Sequence, residues 1–298
     1  MYRMIAFASM LTCAQGWPKF IMSQVQTTHG DDQSIIVSGY SPHTATLGDG
    51  TVVAVGGQYP FADNATVAIT RAKAGSDWAV ALRIPCWVQS ATVTVSDGAA
   101  TTATPCALFS VPGLHASDTS LTIVVDFVHA IEVVRGKWNK SPAAPEDVWS
   151  DIRPGSSARG AVEVHRGPLI FTFPVPGVVS TTVLNATSFG MVHKTAVAPD
   201  DTKTTLIALQ NPTADTLTFS GWSPAPAIPF DRDSPPGSIR ARACPTVDVN
   251  GQYAKGHAPD SPVALSLCKG PAMDVDLVPI SHSYLRFTAL PVLANATS

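Results

Sequence analysis

The stretch that most restricts this chain is Val162–Phe173, VEVHRGPLIFTF. Val162, Val164, Leu169, Phe171 and Phe173 alternate with polar or small residues, the period of a half-buried strand. The alternation breaks at His165-Arg166-Gly167-Pro168. Gly167 permits backbone angles closed to other residues, and Pro168 removes a backbone donor. The sequence therefore predicts a kink or bulge there, with the strand leaving one sheet and entering another. A first β-domain is expected to end near this point and a second to begin.

The surrounding chain reads the same way. Trp78, Val80, Leu82 and Ile84 alternate up to Pro85; Val67 and Ile69 alternate within Thr66–Thr70; Leu121–Phe127 alternates again. Ser34–Tyr40, Gly50–Val55 and Thr92–Val95 complete the first set, the last running into a Ser96-Asp97-Gly98 turn. After Phe173 the expected strands are Thr204–Leu209, Thr216–Phe219, Ser238–Ala243, Val263–Leu267, Met273–Val278 and Tyr284–Leu290. Many short strands with 25 Pro and 21 Gly among 298 residues predict antiparallel β-sandwiches. Only Trp17–Thr28 carries a helical pattern, with Trp17, Phe20, Ile21 and Val25 on one face. Residues 136–161 are rich in Pro, Gly, Ser and charge and read as a linker or loop.

Charge excludes one class of partner. A net charge of −3 leaves no basic field for nucleic acid. No apolar run reaches the length of a membrane-spanning helix. The start, Met1–Ala14, can be read as a short signal peptide cleaved after Ala14 or as an artefactual beginning. Five cysteines without C-x-x-C spacing argue against a zinc ribbon. Cys244 and Cys268 each follow a strand-like segment and are expected to form a disulfide, with Cys86–Cys106 as the second pair. Sequons at Asn64, Asn139, Asn185 and Asn295 mark candidate glycosylation sites and, with the disulfides, an extracellular or secretory location.

Chemistry is sparse. No two histidines have the helical i, i+4 spacing of a zinc protease, and there is no Gly-x-Ser-x-Gly elbow. His165 beside Arg166 is the most suggestive pair, and reads more simply as a strand-end histidine bonded to backbone. Asp231 and Asp233 lie in a proline-rich loop, and Asp274 and Asp276 face the wet side of a strand. Trp138 and Trp149 could stack on a sugar or pin their own loop. No catalytic residue, metal ligand or cofactor is expected.

Six segments carry a resemblance, in order: QGWPKF (15–20), SGYSPHTATL (38–47), GGQYPFADNATVAI (56–69), ALRIPCW (81–87), AVEVHRGPLIF (161–171) and DLVPISHSYLRFTALP (276–291). Together they resemble the region downstream of the catalytic barrel in glycoside hydrolase family 127, the β-L-arabinofuranosidase-like proteins, and most of all its fungal branch. The resemblance implies two consecutive β-sandwiches, here 34–135 and 162–298, with 15–33 a remnant of the last barrel helix. It also implies a preceding (α/α)6 barrel that carries the family's nucleophilic cysteine, its acidic partner and its zinc site. The neighbours expected around such a cysteine are missing at Cys13, which takes no catalytic role. The expected function is a non-catalytic accessory portion of a family 127-type protein, its partner a catalytic barrel or a cell-wall glycan. A secreted carbohydrate-binding protein is the alternative, and an active arabinofuranosidase-type enzyme the third reading.

Overall fold

The computed structural model describes residues 16, 18–28, 33–74, 77–135, 161–175, 177–186, 190–199, 206–224, 234–246, 261, 263–282, 285–287 and 290–294. Apart from helical residues 16 and 18–22 and short 3-10 turns, the regular structure described is strand. The chain divides into two compact units, Met1–Ala130 and Ile131–Ser298.

The first unit contains β1 (Val25–Thr27), β2 (Gln33–Val37), β3 (His43–Thr46), β4 (Val52–Gly56), β5 (Asn64–Thr70), β6 (Trp78–Arg83), β7 (Ser90–Val95), β8 (Thr101–Ala103), β9 (Leu108–Ser110) and β10 (Ser120–Val128). They form two sheets, ordered β1-β2-β6-β9 and β3-β4-β5-β10-β7-β8. All pairings are antiparallel except β2 with β6, which run parallel from Gln33↔Trp78 to Val37↔Leu82. Alternation sets what lies inside. Val67 and Ile69 of β5, Ile123 and Val125 of β10, and Val80 and Leu82 of β6 are buried in one cluster. A one-residue slip of β5 would offer Thr66, Ala68 and Thr70 to that core instead, so the register is strongly specified. Each leucine- or isoleucine-sized side chain held here contributes about 1.5–3 kcal/mol relative to exposure.

The second unit contains β11 (Ile131–Arg135), β12 (Val162–Arg166), β13 (Leu169–Val175), β14 (Gly177–Ala186), β15 (Gly190–Pro199), β16 (Leu206–Leu209), β17 (Thr218–Phe219), β18 (Ile239–Thr246), β19 (Met273–Pro279) and β20 (Leu285–Phe287). Its main sheet runs β11-β12-β13-β19-β18-β16, with β17 on β18 and β20 on β13, while β14 and β15 form a separate hairpin. Val164, Phe171, Leu277, Ile239 and Leu209 come from successive strands to one core. The C-terminal segment helps to curl the sheet. Leu290 bridges Val162 of β12, and Val292 bridges Leu209 of β16.

Four expectations are corrected. The break at Gly167-Pro168 is a two-residue hairpin turn within one sheet, not a crossing between sheets: Arg166 pairs with Leu169, and His165 with Ile170. Gly167 has φ 57°, as a turn with a left-handed first residue requires. The helix stops by Met22, and Val25–Thr27 is instead a strand paired with Val37–Ile35. The reason is that Val25 packs against the first core, a gain that one more helical turn would not supply. Strand β11, placed by the sequence in the first domain, pairs along its length with β12 of the second. Val263–Leu267 is a single bridge, Val263↔Leu293, followed by a 3-10 turn. Residues 136–160 lie outside the described residues.

Candidate functional site

Three of the sequence motifs converge inside the first unit. Tyr40 of SGYSPH, Tyr59 of YPF and Phe127 pack together, Tyr40 edge-on to Phe127 with centroids 5.1 Å apart and Tyr59 tilted against Phe127 at 5.5 Å. The Tyr40 hydroxyl donates to the Arg83 carbonyl at 3.0 Å. Trp87 Nε1 donates to the Tyr59 hydroxyl oxygen at 3.2 Å, and the Arg83 guanidinium lies 5.6 Å from the Trp87 ring centre. Burial pushes the Tyr40 phenol well above its ordinary range, reinforced by Tyr59 and opposed by Arg83. Burial also raises Tyr59. Both phenols are therefore neutral hydrogen-bonding groups at ordinary pH, and the cluster clamps the strands it joins. Next to it, the Cys86–Cys106 disulfide spans Cα atoms 4.3 Å apart.

The fourth motif does the same in the second unit. Period 2 sends His165 and Arg166 to opposite faces of β12. Arg166, 8% exposed, lies 4.0 Å from the Phe219 ring centre and 5.3 Å from that of Trp222. A cation held over aromatic faces away from water is stabilising. His165 points the other way, its Nε2 3.0 Å from Glu163, on a partly exposed surface. The structure thus separates the pair that looked most like chemistry. Cys244 and Cys268 form the second disulfide, with Cα atoms 5.8 Å apart, and close a loop worth about 3 kcal/mol in the chain-entropy model. Asp274 and Asp276 pair across strands with Arg242 (3.0 Å) and Arg240 (3.2 Å), exposed to solvent. Such surface pairs add little stability.

The cavity that the first unit offers was not legible in the sequence. It is a cleft of about 250 Å³ at one end of the two sheets. Its lining includes Thr27, Thr28 and Ser34 from the β1–β2 end, Asp49 and Thr51 from the β3–β4 turn, and Arg71 and Trp78 from the ends of β5 and β6. The turn is built by Asp49, whose Oδ1 accepts from the Thr51 amide and whose Oδ2 accepts from the Thr51 hydroxyl, both at 2.9 Å. The amide bond is the main reason that its carboxyl sits below the usual range. Trp78 is fixed by an Nε1 bond to the His115 carbonyl at 3.1 Å and by the Arg71 guanidinium 4.8 Å from its ring centre. Arg71 in turn donates to the carbonyls of Ala116 and Asp118 at 3.2 and 3.1 Å. The only trace in the sequence is the Gly48-Asp49-Gly50 turn; nothing local brings Arg71 and Trp78 beside it.

Of the sequon asparagines, Asn64 begins β5 and is exposed, and Asn185 lies in β14. Asn139, Asn295, Cys13, Trp138, Trp149, Asp231 and Asp233 lie outside the described residues. Among the described residues no three His, Cys, Asp or Glu side chains group as metal ligands. No described helix is long and apolar enough to cross a membrane.

No protein-family model matches the chain, and no curated protein matches it. Solved structures do. One titled "Glycoside hydrolase" matches with TM-score 0.51 and 16% identity, over 90% of this chain and 37% of that one. A GH127 β-arabinofuranosidase matches at TM-score 0.44 and 17% identity, over 90% and 36%. A GH127 β-L-arabinofuranosidase from Geobacillus stearothermophilus T6 matches at 0.40 and 13%, over 86% and 32%. This chain spans about a third of the length of each. The likeness shows the fold alone: nine-tenths of this chain is built as a part of that glycoside hydrolase is built.

Proposed function

We propose that this chain is the accessory β-sandwich portion of a family 127-type, β-L-arabinofuranosidase-like protein and does not itself cleave glycosides. The observation that carries the reading is the lopsided coverage: nine-tenths of this chain answers to little more than a third of a glycoside hydrolase. The motif residues support it. Tyr40, Tyr59, Trp87 and Arg166 are engaged in packing and internal hydrogen bonds or ring contacts. Glycoside cleavage needs two groups on opposite sides of the scissile bond, one donating a proton and one attacking or activating water. Of the three glutamates, Glu132 lies in β11 opposite His165, Glu163 pairs with His165, and Glu146 is outside the described residues.

The helix at 18–22 fits the same reading. Phe20, Ile21 and Met22 are 50%, 45% and 78% exposed, an apolar surface suited to abut a catalytic barrel. The two disulfides favour an oxidising, extracellular setting. The test is turnover of p-nitrophenyl β-L-arabinofuranoside by the full chain beside its Cys13→Ala variant. The expected rate equals that of buffer for both. Release that the chain accelerates and the variant does not would overturn the proposal and make Cys13 a nucleophile.

A further inference from the structure

We propose that the cleft between the β3–β4 turn and Trp78 is a binding site for a neutral sugar, one ring of a glycan. Three features carry this. The first is an acceptor with capacity to spare. Asp49 accepts twice from Thr51 and also from its own backbone amide, and a carboxylate offers about four acceptor sites. Its remaining capacity suits a sugar hydroxyl, which arrives as a donor. The second is the indole. Trp78 is held by its ring nitrogen, by Arg71 over its ring and by packing against the first core, so the part of the indole that lines the cleft is already oriented before any ligand comes. Pre-organisation of that kind lowers the cost of binding. The third is the rim formed by the side chains of Thr27 and Ser34, whose hydroxyls can donate or accept, beside Thr28, whose hydroxyl already accepts from the Ser34 amide.

Size and charge narrow the ligand. At about 250 Å³ the cleft is smaller than the ~300 Å³ at which drug-sized sites begin, so it takes one ring and leaves the rest of a chain outside. The Asp49 carboxylate disfavours an anion. Arg71, which could have favoured one, directs its guanidinium to two backbone carbonyls and the indole, and its charge also acts on the Asp49 carboxylate. A neutral polyol satisfies the carboxylate, the hydroxyls and the ring together.

This inference stands apart from the accessory role: a cleft that binds no sugar would leave that role intact, and hydrolysis by the chain would leave the cleft intact. The experiment is calorimetric titration of the full chain with L-arabinose, D-galactose and D-galacturonate, and with short neutral arabino- and galacto-oligosaccharides. The expected result is saturable, millimolar binding of at least one neutral sugar, weakened at least tenfold in Asp49→Asn and several-fold in Thr27→Val. Thermal melts establish that each variant is folded, and Thr27→Val, at an exposed strand position, serves if Asp49→Asn is not. No saturable binding of any neutral sugar, equal affinity in the folded variants, or a preference for galacturonate over galactose would overturn the proposal.

Discussion

Tyr40 and Tyr59 show how an apparent functional motif becomes a structural one. Each places a phenol where burial opposes ionisation. A phenol whose folded pKa exceeds its unfolded value, about 10, contributes stability that is whole below pH 10. That contribution is lost as pH rises above 10 toward the folded value, because the unfolded chain sheds the protons first. Alkaline titration followed by tyrosinate absorbance should therefore show Tyr40 and Tyr59 ionising only with unfolding. Removing both hydroxyls, in Tyr40→Phe/Tyr59→Phe, should delete that late absorbance step. Its persistence in the double variant would contradict the assignment. The residues were visible in the sequence as YPF and SGY, but their contacts were not. Tyr40 reaches Arg83 across 43 positions, a separation that no local pattern encodes.

Among elements, strict alternation was readable and its absence was not. β5, β6, β10 and β19 lie within a residue or two of their expected ends, since one buried and one wet face leave one workable register. The hairpin of β14 and β15 was missed, because Val178-Val179 and Thr181-Thr182 blur the alternation. At 17–28, apolar spacing fits a helical face equally well, and only pairing with β2 decides for strand at Val25. The parallel β2–β6 pair joins segments more than 40 positions apart and was invisible for the same reason as the cleft. The β12–β13 turn supplies the element-scale prediction. Alanine in place of Gly167, at φ 57°, should destabilise the second unit by about 1–2 kcal/mol, read as a lower denaturant midpoint with an unchanged slope. A midpoint equal to that of the parent chain would argue against the left-handed turn.

At the scale of the molecule, composition and alternation together sufficed for an all-β chain. The domain boundary was misplaced by one strand, since β11 reads as the natural partner of β10 in sequence and pairs with β12 in space. Among the described residues each unit has its own main core, one gathered around Leu82, Ile123 and Val67 and the other around Phe171, Leu277 and Ile239, with a smaller cluster of Ala208, Cys244, Val263 and Leu293 in the second unit. Hydrogen exchange of the full chain, read by mass spectrometry, tests this through one substitution. Leu82 is fully buried, and Leu82→Ala should cost about 2–5 kcal/mol. The expected result is faster exchange across β2, β5, β6 and β10, with protection in β12, β13, β18 and β19 unchanged. Equal loss of protection in both sets of strands would show one cooperative core where two are claimed.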